Sequence, residues 1–179
     1  MSSRRSRALG FALLLPLLAL LSGCTTAVSL EAAPDANNPD CANVTVRLPD
    51  TVGTLDALET DAQATGAWGD PVAVILRCGV EVPGPSTQLC IEIPGTGISW
   101  LLDDTDAPNY RYTSYGRDPA VSVAVNTEII SAGVALDDLA NAVSFTPLNG
   151  RECTGFADTV TGDDLDADLD LEPTPSPTP

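Results

Sequence analysis

The residues best suited to recognition chemistry are arginines set among aromatics. Trp68, Trp100, Tyr110, Tyr112 and Tyr115 fall in the same segments as Arg77, Arg111 and Arg117. A guanidinium is a rigid fork that matches carboxylate or phosphate oxygens, and Trp and Tyr rings offer stacking faces, including for sugars. Trp68, Arg77, Trp100, Tyr112, Tyr115 and Arg117 are therefore the expected binding residues. Arg117 leads them, because it follows Gly116 in a short break between two expected strands, where rigid flanks would present it to solvent. The competing reading is structural: Trp as core, Tyr standing on a sheet, arginines paired with neighbouring acids.

A second chemistry is covalent. Arg4, Arg5 and Arg7 precede a leucine-rich run from about Ala8 to Leu21, and Leu21-Ser22-Gly23-Cys24 closes it. Small residues followed by cysteine are the ending of a bacterial lipoprotein signal, in which the cysteine takes the lipid and becomes the new N-terminus. The run is too short to span a bilayer as a retained helix, and Pro16 interrupts it. Cys24 is the expected lipid (palmitate) attachment site and residues 1–23 the expected signal peptide. Each buried CH₂ contributes about 0.8 kcal/mol, so two or three acyl chains hold a protein at a membrane without a second signal. The expected location is the extracytoplasmic face of the cell membrane.

Composition removes other chemistry. The chain has no histidine and no lysine; all eight basic residues are arginines. There is then no imidazole base or metal ligand, no Schiff-base lysine and no Ser-Lys dyad. The sequence also lacks a G-x-S-x-G elbow, a Walker loop and G-x-G-x-x-G, and no cofactor is expected. Every acid lies after Cys24, so the expected mature chain sets 25 acids against five arginines. Phosphate neutralisation needs clustered Lys and Arg, so nucleic acid is not an expected partner. No metal site is expected: Asp164, Asp166 and Asp168 mimic the start of a calcium loop, but Leu169 stands where its turn glycine belongs. Those acids and the group Asp103, Asp104 and Asp106 read as solvated charge.

Four further cysteines, Cys41, Cys78, Cys90 and Cys153, are an even number in an oxidising compartment and suggest two disulfides. Three pairings exist. Cys78–Cys90 and Cys41–Cys153 are favoured, the first across a loop between two strands, the second joining the domain's ends. One detail conflicts. Cys78 alternates with Leu76 and Val80 on an apolar face, whereas Cys90 alternates with Gln88 and Glu92. A simple ladder needs both on one face, unless Gly79 makes a bulge or the bond sits at a sheet edge.

Four zones follow: a signal peptide (1–23), a polar tether (24–40), one domain (41–157) and a disordered tail (158–179), acidic and then rich in Pro, Ser and Thr. Within the domain, strands are expected at Val72–Val82, Leu89–Ile93, Ile98–Leu102, Arg111–Tyr115 and Ala120–Val125, with a shorter one at Val44–Leu48. Helices are expected from Asp50 through Leu58 and around Leu136, Leu139, Ala140 and Val143, which fall at i, i+3, i+4 and i+7. The class is α+β: an antiparallel sheet with one or two helices packed on one face, stapled by disulfides.

Several segments resemble an uncharacterised family of actinobacterial lipoproteins, catalogued as domain of unknown function 3515. They are Asp40-Cys41 with Arg47-Leu48-Pro49, Ala67-Trp68-Gly69-Asp70-Pro71, Leu76-Arg77-Cys78-Gly79-Val80, Gly97-Ile98-Ser99-Trp100, and the run from Tyr110 to Val121. The resemblance covers roughly Cys24 to Cys153 and implies no assigned activity. In the family pattern an acid stands at the positions of Ser99 and Ser122, which argues against a carboxylate at either place being needed for chemistry here.

The function these features favour is a lipid-anchored accessory or binding module of the cell envelope, contacting a membrane protein or a wall component. The alternatives are an envelope hydrolase using paired carboxylates and a passive charged spacer. An enzyme is the less favoured class, and no catalytic residue is expected.

Overall fold

The computed structural model describes residues 27–153; Cys24 and the tail from Asp158 lie outside the described residues. The elements are α1 (Pro39–Thr45), β1 (Thr51–Val52), β2 (Leu55–Leu58), β3 (Thr65–Trp68), β4 (Val74–Val80), β5 (Cys90–Glu92), β6 (Ser99–Asp103), β7 (Asn109–Tyr115), β8 (Ala120–Asn126) and α2 (Ala132–Val143). The strands make one antiparallel sheet in the order β1-β2-β3-β4-β8-β7-β6-β5. The expected α+β class, with helices on one face and two disulfides, is what forms.

Strict alternation sorts the central strands into two faces. Val74, Leu76 and Cys78 of β4 lie opposite Val125, Val123 and Val121 of β8, and all six are buried. Both helices cover this face. The apolar stripe Leu136, Leu139, Ala140 and Val143 of α2 is buried against it, and each such Leu or Val contributes about 1.5–3 kcal/mol. The side chains between them, Ile75, Arg77, Ser122 and Ala124, point to the opposite face, which no helix covers.

The disulfides are a correction. Cys41 bonds Cys78, with Cα atoms 5.5 Å apart, and Cys90 bonds Cys153 at 5.9 Å. The favoured pairing fails because β4 and β5 are not neighbours: β8, β7 and β6 separate them. The alternation conflict had this origin. Cys78 faces the helices and meets α1, whereas Cys90 lies in register with Leu101 on the open face. Gly79 does bulge, and the register shifts between Cys78 and Val80. Its φ is +87°, and a side chain there would run into the Asp35 backbone.

Two local expectations also change. Asp50–Leu58 is not a helix but the β1–β2 hairpin. Its two-residue turn places Gly53 at φ +58°, a conformation glycine adopts without steric cost. Val44–Leu48 is not a strand. Asn38 accepts a hydrogen bond from the Asp40 N–H at 3.0 Å, Pro39 opens the first turn, and the chain runs as α1 to Thr45. The expected tether is docked over residues 27–38. The Val28 N–H donates to Glu59 O at 2.8 Å, the Asp35 N–H to Gly79 O at 2.9 Å, and Ala36 is part of the core.

Candidate functional site

The open face carries a shallow groove of about 190 Å³ whose walls include Arg77 and Arg111, with Thr113 and Ser122 between them. Strand register builds it. Arg77 of β4 lies opposite Ser122 of β8, Ser122 lies opposite Thr113 of β7, and Arg111 lies opposite Ala124. The arginine Cα atoms are thus two strands and two residues apart, about 12 Å on the diagonal at ~4.8 Å per strand and ~3.3 Å per residue. Two long side chains at that separation share the space over the two hydroxyls.

The other arginines are engaged elsewhere or lie apart. Arg47 stacks on Phe145, 3.8 Å from the ring centre, and donates to Asn43 O at 2.7 Å. Arg151 is exposed, on the segment that passes Gly116. Among the described residues no carboxylate comes within 4.0 Å of the Arg77 or Arg111 guanidinium. Glu81 also lines the groove, beyond ion-pair distance of either arginine, and Asp103 lies opposite Arg111 in register. Its Oδ1 accepts from the Thr105 hydroxyl at 2.7 Å and the Thr105 N–H at 3.1 Å. Those bonds hold its carboxyl below the usual carboxylate range, with the Arg111 charge adding to the effect. Arg77 and Arg111 therefore offer donors to an incoming anion, with the Thr113 and Ser122 hydroxyls as further partners.

Of the six expected binding residues, only Arg77 lies in this groove. Tyr115 is half-buried on the same face, opposite Ser99. Trp68 and Trp100 are core, at 1% and 0% exposure. The Trp68 indole donates to Pro49 O at 3.0 Å, and the Trp100 indole N–H has no partner among the described residues. Tyr112 is buried on the helix side, and burial, then the neighbouring Tyr110, raises its phenol above the ordinary value.

Arg117 is the sharpest correction. It is 7% exposed and points inward, donating to Thr146 O at 2.6 Å, Ser144 O at 3.1 Å and Gly97 O at 3.4 Å. Burial lowers its pKa from the usual guanidinium value. The break after β7 is not a solvent-exposed tip, because the segment after α2 returns along it. The Asp118 N–H donates to Pro147 O and the Asn149 N–H to Gly116 O, and a side chain at Gly116 would run into the Arg151 carbonyl.

Arg111, Thr113 and Ser122 are the groove residues missing from the expected set. Alternation carried the signal: Ser122 and Ala124 interleave with the buried Val121, Val123 and Val125, so they must face the other way. The strand order that sets Arg77 beside them had no local signal.

A second depression, of about 280 Å³, lies between the end of α1 and the β2–β3 hairpin and includes Asp50 and Glu59. Both carboxylates are exposed, so burial does not distinguish a proton donor from a base as paired-carboxylate hydrolysis requires. Among the described residues no group of three His, Cys, Asp or Glu side chains is placed to hold a metal ion, and no helix is long and apolar enough to cross a membrane. Cys24, the expected lipid-attachment residue, and the calcium-like acids of the tail lie outside the described residues.

No curated protein and no solved structure matches the chain. A sequence family does: residues 14–149 match the one described as protein of unknown function DUF3515, a span holding every strand and both helices of the described residues. The chain belongs to the DUF3515 family.

Proposed function

We propose that this protein is a lipid-anchored binding module on the extracytoplasmic face of the cell membrane, and that the Arg77–Arg111 groove is its ligand face. Its ligand is a carboxylate- or phosphate-bearing group of an envelope protein or wall component. The observation that carries this reading is the pair of guanidiniums that, among the described residues, have no ion pair and stand on a sheet face no described helix covers, in a chain otherwise dominated by acids. Charged side chains that serve only solubility have no reason to converge over two hydroxyls. The short lead supports anchoring close to a surface. Three residues separate Cys24 from Val28, which is fixed to Glu59 and Asp61, so the docked edge would sit within about 14 Å, four residue steps, of an acylated Cys24.

Two arms test the proposal. Metabolic labelling with an alkyne fatty acid should mark the native protein and not Cys24→Ser. Cross-linking in the native envelope should recover a partner with the unaltered chain and lose it with Arg77→Gln/Arg111→Gln. Unlabelled protein refutes the anchor, and undiminished recovery by the double variant refutes the ligand face.

A further inference from the structure

We infer that the acidic segment from Asp158 to Glu172 of this same chain occupies the Arg77–Arg111 groove as an internal competitor for its ligand. The inference rests on the reading of that groove as an anion site. Four observations lead to it.

The first is where the described chain ends. Cys153 is bonded to Cys90. Cys90 is in register with Leu101, Leu101 with Thr113, and Thr113 with Ser122. The disulfide therefore fixes the root of the tail at the edge of the row that forms the groove floor. Three strand spacings, about 14 Å, separate Cys90 from Ser122.

The second is reach. Asp163 is ten residues beyond Cys153, which allows about 33 Å of extended chain. The acids from Asp163 to Glu172 can all arrive over the groove without strain.

Charge is the third. Residues 158 to 172 hold seven acids, and residues 154–179 hold no arginine or lysine. Arg77 and Arg111 share one groove with a single acid, Glu81, in its lining, and among the described residues no carboxylate lies within 4.0 Å of either guanidinium.

The fourth is spacing. From Asp164 to Glu172 the chain alternates strictly: acids at 164, 166, 168, 170 and 172, with Leu165, Ala167, Leu169 and Leu171 between them. In an extended conformation the acids share one side, and acids four residues apart stand about 13 Å from each other. That interval matches the roughly 12 Å diagonal between the two arginine Cα atoms. With the acids meeting the arginines, the association is held by charge pairs. It is weak, salt-sensitive and displaceable, as an internal competitor must be.

The test compares the intact chain with Asp164→Asn/Asp166→Asn/Asp168→Asn/Asp170→Asn, at 20 and 500 mM NaCl. Backbone amide shifts and the affinity for inorganic phosphate are read on both. At low salt the amides of Arg77, Arg111, Thr113 and Ser122 should differ between the two proteins, and the difference should vanish at high salt. A short tether supplies an effective concentration in the millimolar range, so removing a contact of millimolar affinity should strengthen phosphate binding about 2-fold. Arg77→Gln/Arg111→Gln in the intact chain should abolish both effects. Identical groove amides together with equal phosphate affinity in the two proteins overturns the inference while leaving the groove an anion site. Groove amides that respond to the tail in a protein that binds no phosphate uphold the tail contact and refute phosphate as a ligand.

Discussion

Replacing Arg117 by alanine removes a cation that three buried or half-buried carbonyls surround. Hydrogen bonds from a charged donor contribute about 1.5–3 kcal/mol each, and carbonyls left without a partner add to the loss. Against this, the variant no longer desolvates a guanidinium, the burial that lowers the Arg117 pKa. The two shorter bonds dominate, at 2.6 and 3.1 Å, and the 3.4 Å contact to Gly97 O adds little. A net loss of about 2–4 kcal/mol follows. For a domain of this size that is roughly a 10 °C fall in Tm. Arg117→Lys keeps the charge but not the fork, and should fall between. Arg77→Ala, on the open face, should shift stability by no more than about 0.5 kcal/mol. Thermal melts of the three variants, with amide exchange at Asn149, decide the matter. An Arg117→Ala protein melting within about 2 °C of the parent, with Asn149 still protected, refutes the structural role assigned to this arginine.

Non-reducing peptide mapping should recover Cys41–Cys78 and Cys90–Cys153; a Cys78–Cys90 peptide contradicts the topology. Chain-entropy arguments give about 4 kcal/mol for each bridge at separations of 37 and 63 residues. Loss of Cys41–Cys78 should cost more, because both cysteines are fully buried. Gly79→Ala should destabilise by at least about 2 kcal/mol in chemical denaturation, since it meets both a positive φ and the Asp35 backbone. Trp68→Phe loses the indole bond to Pro49 O, whereas Trp100→Phe breaks no hydrogen bond among the described residues, so Trp68→Phe should be the more destabilising by about 1 kcal/mol. The Leu30 N–H holds the Asp61 carboxyl below its ordinary range. The stabilisation it supplies is therefore present above the unfolded carboxylate pKa and is lost as pH falls through the lowered folded value. The Leu30 amide should titrate at that lower pH, and Asp61→Asn should remove the step.

What the sequence displays is what local physics controls. The β-branched alternation of Ala120–Val125 and the i, i+3, i+4, i+7 stripe from Leu136 need no distant partner to be read, and both form as expected. Asp50–Leu58 misleads because Asp50 resembles a cap, while Gly53 and the flanking β-branched residues make a tight turn. β3 is short, and Gly66 interrupts its pattern; what fixes it is pairing with β4. The cysteine pairing depends on strand order, which nothing local encodes, although the mismatch of Cys78 and Cys90 faces already stood against a simple ladder between them. Arg117 misleads for a related reason. Its neighbours Gly116 and Pro119 announce a break in the chain, but the segment that covers that break arrives from beyond α2.

The central claim is that the open sheet face, and not the helix face, meets the ligand. Site-specific photo-cross-linking in the native envelope tests it most directly, with the photoreactive residue placed at Thr113 on the open face or at Asn141 on the exposed side of α2. A ligand on the open face gives a discrete adduct from Thr113 that disappears in the Arg77→Gln/Arg111→Gln background, and none from Asn141. An adduct from Asn141 alone, or one from Thr113 indifferent to both arginines, contradicts the claim.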